Sequence, residues 1–225
     1  MHRFEMPPEY VKRVTARQGR AHAIESFDGP KTALLVVDMQ NYFMVEPYMS
    51  ATPEAIEIVP NVNRLADATR KAGGKVIWIQ NMTPFESETS WSVYRSMFLP
   101  EKATVRWKQM KPDNDGFKLY PKLDVREGDG RVVKRRFSAF IQGASDIDIV
   151  LKDNGIDTLI VTGTATNVCC ESTARDAMML NYRTMMVSDA CATLSDSEHA
   201  ATMGNFYLFF GDVQTTDEVI ARLKR

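Results

Sequence analysis

The chain has 225 residues, 44% hydrophobic and 25% charged, with 28 Lys and Arg against 29 Asp and Glu for a formal net charge of −1. That size and apolar content fit one domain with a sizeable core, and the interspersed charges argue against a nucleic-acid or membrane partner, leaving a small neutral or weakly charged ligand as the expectation. No apolar stretch approaches the ~20 residues that cross a bilayer, the first segment lacks the apolar core of a signal peptide, and the cysteines Cys169, Cys170 and Cys191 form no secreted framework, so reduced thiols and a cytoplasmic location are expected.

Residues 1–30 mix charge with Pro7, Pro8 and Gly19 without a steady period, which predicts an arm that packs loosely or reaches a neighbouring subunit. Residues 31–225 read as one α/β domain. Ala33–Asp38 is a short apolar run ending in a carboxylate, as expected of a strand buried on both faces of a parallel sheet. A helix follows, with Pro60 in its first turn, Val62, Leu65, Ala66 and Thr69 at i, i+3, i+4 and i+7, and Gly73-Gly74 as its stop. Lys75–Gln80 is the second strand. From 81 to 130 the period is lost. Prolines, a polar tract and the aromatics Phe85, Trp91, Tyr94, Phe98 and Trp107 predict a partly helical cap over a site, since long excursions in compact domains are usually functional. Arg131–Lys134 is a strand, Ser145–Asn154 a helix with Ser145 as N-cap and Gly155 beyond its end, and Thr158–Thr162 another buried strand. Then come a helix over Asn167–Asn181, a strand at Thr184–Ser188, a helix over Asp196–Phe209, a short strand at Asp212-Val213 and a last helix over Thr216–Lys224. This alternation predicts a mainly parallel sheet of about six strands with helices on both faces.

Ligands in open parallel sheets bind beyond the carboxyl ends of the strands. Three such ends carry chemistry: Asp38 in VVDMQNYF, Lys134 in VVKRRFSAF, and the fourth strand where it runs into VTGTATNVCCESTARDA. Strand, tight turn and helix in succession put Cys169 in the first turn of a helix that Asn167 could cap. Backbone N–H groups and the helix dipole there favour an anion, so a lowered thiol pKa and a partial thiolate near neutral pH are expected. The same N–H groups can receive the oxyanion formed when sulfur attacks a carbonyl. Each residue alone has an ordinary reading: Cys169 as a small buried hydrophobe, Asp38 as a cap for the turn after its strand, Lys134 as part of a solvated basic face with Arg135 and Arg136. Together they suggest a hydrolase, which needs one group to take the thiol proton and return it to a leaving amine, and a fixed cation beside the sulfur.

VVDMQNYF, VVKRRFSAF and TGTATNVCCESTARDA resemble the signatures of the isochorismatase-like cysteine hydrolases, which include nicotinamidases, N-carbamoylsarcosine amidases, ureidoacrylate amidohydrolases and biuret hydrolases. The three motifs occur in order, and the resemblance covers about Thr32 to Arg222. It implies a three-layer α/β/α, Rossmann-like fold, an Asp38, Lys134 and Cys169 triad, an oxyanion hole from the N–H groups of Ala165 and Cys169, a cis peptide at Thr164-Ala165, and a homo-oligomer, dimer or tetramer. Nicotinamidases carry an aspartate and histidines after the second strand that bind a metal. Here that stretch is WIQNMT, and His2, His22 and His199 are distant in sequence, so neither a metal nor another cofactor is expected. Isochorismatases lack the cysteine, and Cys169 argues against their vinyl-ether cleavage. ATNVCCESTARDA is most similar to the subgroup acting on linear ureido and carbamoyl compounds, where the residue at Cys170 is usually aliphatic, so Cys170 is expected to face the core. Gln40, Tyr42, Asn81 and Gln214 are polar candidates for substrate contacts, and Trp91 and Phe140 for pocket walls, each equally suited to local structure. The expectation is a metal-independent cysteine amidohydrolase that cleaves a C–N bond of a small linear amide, ureido or carbamoyl substrate through a thioester. Its alternatives are a vinyl-ether hydrolase or esterase on the same fold, and a non-catalytic binding or scaffold protein.

Overall fold

A computed structural model describes residues 1–84 and 90–224; Phe85, one of the aromatics expected in the cap, lies outside them. Helix α1 (Pro8–Gln18) begins with Pro8 in its first turn and ends at Gly19 in the left-handed conformation. After β1 (Phe27–Asp28) come β2 (Thr32–Val37), the single turns α2 (Asn41–Met44) and α3 (Glu54–Glu57), α4 (Val59–Lys71) and β3 (Lys75–Asn81). The cap contributes α5 (Ser92–Arg95) and α6 (Pro100–Gln109) before β4 (Gly130–Lys134), α7 (Ile147–Asp153) and β5 (Thr158–Thr164). The chain closes with α8 (Glu171–Met179), β6 (Arg183–Ala192), α9 (Asp196–Phe209), β7 (Asp212–Gln214), α10 (Thr216–Arg222) and β8 (Leu223–Lys224).

Six strands form one parallel sheet in the order β4-β3-β2-β5-β6-β7. Every residue of β2 is buried, because both faces are covered. Its side chains alternate between two cores. Ala33, Leu35 and Val37 pack with residues of α7, α8 and α9, and Leu34 and Val36 pack with residues of α4 and α10. The result is the three-layer α/β/α arrangement. Successive strands are laid to one side of β2 and then, from β5, to the other, so the gap between the ends of β2 and β5 is the crevice in which such sheets bind ligands.

Gly163 keeps that crevice narrow. Its φ is +116°, and an added Cβ would lie 2.1 Å from the Val37 carbonyl oxygen, so only glycine lets β5 approach β2 here. Gly163→Ala should lower unfolding free energy by about 2 kcal/mol or more, read by denaturant unfolding, since strain and overpacking act together.

The structure differs from the sequence expectations at several ends. The arm holds α1, which packs on α9: Val14 is buried, Arg17 donates to the Leu208 carbonyl, and the Tyr10 ring lies against Gly204. Its apolar stripe is too narrow to register as a period. The last helix stops at Arg222 because Leu223–Lys224 pairs in parallel with Phe27–Asp28, tying the arm to the end of the domain. Strand β6 continues past Ser188, and after a register shift Cys191 and Ala192 pair with Gly163 and Thr164. The helix expected from Ser145 begins at Ile147, with Ser145 Oγ accepting the Ile147 N–H. Among the described residues no helix is long and apolar enough to cross a membrane.

Candidate active site

Asp38 follows β2 with φ of 53°, a left-handed conformation uncommon for a side chain larger than glycine. Its N–H donates to the Ile79 carbonyl and its own carbonyl accepts from Gln40, so the turn is held from both sides and the carboxylate points beyond the sheet. Lys134 ends β4, two strands away, and its long side chain spans that distance. Both residues are fully buried, with Lys134 Nζ 2.8 Å from Asp38 Oδ2 and donating also to the Arg136 carbonyl at 3.0 Å. Lys134 is therefore not part of a solvated basic face.

Beyond Gly163 the Thr164-Ala165 peptide is cis, and Thr166–Cys170 forms a π-helical turn leading into α8. The Ala165 carbonyl accepts the N–H groups of Val168 and Cys170, the residues flanking Cys169. Asn167 does not cap a helix; its side-chain oxygen accepts from Thr193 Oγ1 at 2.7 Å. Cys169 lies beside the ion pair, and its thiol interacts with both Asp38 and Lys134.

The expected partial thiolate is corrected by this burial. Desolvation, joined by the negative charge of Asp38, pushes the Cys169 thiol up to about 12, and Lys134 offsets only part of the rise. Burial also raises Asp38 above the ordinary carboxylate range, against the pull of Lys134. Burial opposes the charge on Lys134, but Asp38 and Cys169 outweigh it and raise its pKa. The physical reason is a charge count. Losing the thiol proton to solvent would leave two anions facing one ammonium, whereas passing it to Asp38 leaves one anion and one cation as before. A proton passing between sulfur and carboxylate would therefore leave the charge of the buried site unchanged. In an activity assay, kcat/KM should fall on the acid side at a pH above the ordinary Asp value as Asp38 protonates, and should show no rise near pH ~8.5, where a free thiol ionises. A limb climbing through that region would mean that the sulfur ionises independently of Asp38.

Cys169 opens on a cavity of about 470 Å³. Its walls come from three places: Phe43 and Ser50 around α2, Tyr94 and Arg106 on α5 and α6, and Thr193, Leu194 and Glu198 after β6. Thr164, Ala165 and Asn167 line it beside the sulfur, and Phe137 closes another side.

Of the substrate contacts proposed from sequence, none is among this cavity's lining residues, although two stand directly behind it. Tyr42 is buried and its hydroxyl accepts from Arg106 Nη1 at 3.2 Å. Trp91 packs at a tilt against Tyr94 and edge-on against Phe137, with ring centroids 4.4 and 5.0 Å away. Gln40 is a structural clasp: its Oε1 accepts the Asn81 N–H, and its Nε2 donates to the carbonyls of Asn81 and Phe117. Asn81 is spent locally, accepting from Thr83 Oγ1 and donating to the Arg136 carbonyl. Gln214 sits on β7 at the sheet edge, where its Nε2 donates to the Ile24 carbonyl and Asp212. Phe140 packs on Tyr182, so the aromatic wall from that loop is Phe137. Sequence reasoning missed Arg106, Phe43, Thr164 and Glu198, and only Arg106 carried a signal, as a cation set among cap aromatics. Cys170 is wholly buried and its Sγ donates to the Thr162 carbonyl. His2 and His199 stack 4.6 Å apart, His22 pairs with Asp212, and among the described residues no three His, Cys, Asp or Glu side chains converge on a metal position.

The sequence profile of the family described as Isochorismatase domain matches residues 32–218. A protein of Bacillus subtilis named uncharacterized isochorismatase family protein YwoC is 32% identical over 199 residues, 88% of this chain and 97% of that one. A protein of Acinetobacter baylyi named ureidoacrylate amidohydrolase RutB is 31% identical over 205 residues, 84% of this chain and 82% of that one. The crystal structure of a cysteine hydrolase from Pseudomonas syringae pv. phaseolicola superposes with a TM-score of 0.79 at 28% identity, over 88% of this chain and 94% of that chain.

Proposed function

The chain belongs to the isochorismatase family of hydrolases, and on that premise we propose that it is a metal-independent cysteine amidohydrolase acting on a small linear amide, ureido or carbamoyl compound. The observation that carries the reading is the fully buried Asp38–Lys134 pair, 2.8 Å apart, beside a thiol that opens on a cavity of about 470 Å³. The likeness to a protein named for ureidoacrylate hydrolysis supports the substrate class.

In this mechanism Cys169 Sγ attacks the substrate carbonyl carbon as its proton passes to Asp38. The carbonyl oxygen becomes an oxyanion received by the N–H groups of Ala165 and Cys169. Asp38 then returns the proton to the nitrogen, the C–N bond breaks, and an amine or ammonia leaves a thioester on Cys169. Water attacks the thioester while giving a proton to Asp38. The C–S bond breaks, and the thiolate recovers the proton. Lys134 keeps its charge throughout, so no step builds net charge in the buried site. Metal independence is supported by the side chains themselves, since the histidines are engaged elsewhere. A dimer or tetramer is part of the same proposal, readable by light scattering.

Ammonia release from a panel of primary linear amides and ureido compounds tests the reading, alongside an ester and a vinyl ether whose cleavage is followed by chromatography of the products. Turnover should be confined to C–N substrates and should survive dialysis against a strong chelator. Cleavage of the vinyl ether or ester alone would assign the alternative chemistry, activity lost to the chelator and restored by zinc would overturn metal independence, and no turnover of any compound would favour a binding protein.

A further inference from the structure

A second cavity, of about 330 Å³, lies where the arm crosses the edge of the sheet at β7, and it shares no lining residue with the cavity of Cys169. Phe4, Met6 and Val11 close it from the arm, and Tyr207 and Val213 from α9 and β7. Gln214, expected from the sequence to touch substrate, lines this cavity instead and is only 1% exposed. Its amide can be placed one way only, because Nε2 stands beside two acceptors, the Ile24 carbonyl at 2.7 Å and Asp212 Oδ2 at 2.9 Å. Oε1 is thus the end left over, and among the described residues nothing donates to it. A buried acceptor without a donor is costly, so this oxygen calls for a hydrogen-bond donor from outside the chain.

The remaining polar groups of the cavity are acceptors as well. Glu218 commits Oε2 to the N–H and hydroxyl of Thr215, which leaves Oε1, 3.8 Å from His22 Nε2. His22 Nδ1 lies 3.0 Å from Oδ1 of the wholly buried Asp212, a carboxylate that also accepts the Ile24 and Val213 N–H groups. Glu5 adds a further carboxylate on the arm side. Together Glu5, Glu218 and Asp212 bring three negative charges, of which His22 can offset one, and no Lys or Arg is among the lining residues. Arg17, whose charge acts on Tyr207, donates to the Leu208 carbonyl.

Apolar walls, a surplus of negative charge and an orphaned carbonyl oxygen select for one kind of molecule. An ammonium head has three N–H donors and no acceptor, so it meets both the charge and the missing donor, and a carbon body suits the rings of Phe4 and Tyr207. An anion would meet like charge and acceptors only, and a neutral apolar molecule would leave Gln214 Oε1 as it is. We propose that the cavity beneath the arm is a second ligand site, which takes a small primary ammonium ion with an apolar body, its head held by Gln214 Oε1 and Glu218. The site stands apart from the reaction at Cys169 and does not depend on the reading given to it.

Benzylammonium, benzyl alcohol and benzoate test this, since they share a ring and differ in the charge of the head. Binding is measured by calorimetry on the full chain at neutral pH. Benzylammonium should bind at least tenfold tighter than the alcohol, and benzoate should give no heat of binding. Glu218→Gln keeps a side-chain acceptor for the Thr215 N–H at the start of α10 and removes one negative charge, so it should weaken benzylammonium at least fivefold. Ala21→Leu adds bulk to the cavity lining and should abolish binding. Thermal unfolding shows that each variant is folded, and either one suffices for the comparison. Equal binding of the three compounds, no binding of benzylammonium, which would leave the cavity to water alone, or binding that survives the substitutions in folded protein, which would place the ligand elsewhere, would overturn the proposal.

Discussion

Cys169→Ser should bring turnover to background, a loss of ~10³-fold or more as expected for a covalent nucleophile, while Cys170→Ala keeps most of the activity. Consecutive residues on a helical turn point roughly 80–100° apart, so adjacent thiols face different surroundings. Cys169 lines the cavity beside Asp38 and Lys134, whereas Cys170 faces the sheet, bonded to the Thr162 carbonyl and close to Cys191. Burial raises the Cys170 thiol well above its ordinary value, and the neighbouring Cys191 raises it further. Removing its sulfur should cost about 1 kcal/mol of core packing, visible in thermal unfolding. Iodoacetamide should label slowly at neutral pH, because neither thiol is ionised, and should reach Cys169 first, because only that sulfur opens on the cavity. Peptide mapping against residual activity reads the order. A dead Cys170→Ala beside an active Cys169→Ser would shift the whole mechanism by one residue.

Asp38→Asn and Lys134→Met should each lower kcat by ~10²-fold or more, the usual scale of a lost general acid–base or charge partner. Full burial adds a second effect. Removing one member of a buried ion pair leaves the other charge without compensation, at a cost of about 3–5 kcal/mol, while replacing both by neutral groups is far less costly. The double variant Asp38→Asn/Lys134→Met should therefore regain much of the stability lost by either single variant and none of the activity. Denaturant unfolding and ammonia release on the same preparations separate the two. Recovered turnover in the double variant would mean that the pair is structural and that the proton carrier lies elsewhere.

The parts of this fold that were legible in the sequence are those where one local cause dominates. Strands β2, β3 and β5 are covered on both faces and so read as unbroken apolar runs, and their ends pointed to Asp38 and Cys169. What was hidden depends on sums over distant residues. Helix α1 buries only Val14 fully, too little to set a period. Arg106 stands among cap aromatics in the sequence, but it is fixed by Tyr42, Ser50 and Thr83, which come from two separate stretches of chain, so its burial on the cavity could not be read from its neighbours. Gln214 looked available because its partners Ile24 and Asp212 include a residue of the arm, 190 positions away. The protonation of Cys169 went the opposite way from the helix-terminus argument because burial and the Asp38 charge exceed what one turn of backbone dipoles can offset.

Asp38, Lys134 and Cys169 stand at the ends of sheet strands or one turn beyond, while Phe43, Tyr94, Arg106 and Leu194 stand on connections that cross above the sheet. On the proposed mechanism, reaction and admission are therefore encoded in different material. The strand ends are locked by a core that punishes change, as the contact between Gly163 and Val37 illustrates, whereas surface connections accept replacement far more readily. A transplant of the 90–110 stretch from a homologue should therefore exchange the compounds this chain admits while leaving the proton exchange between sulfur and carboxylate in working order, and lineages of such proteins would be free to change diet without reinventing the reaction.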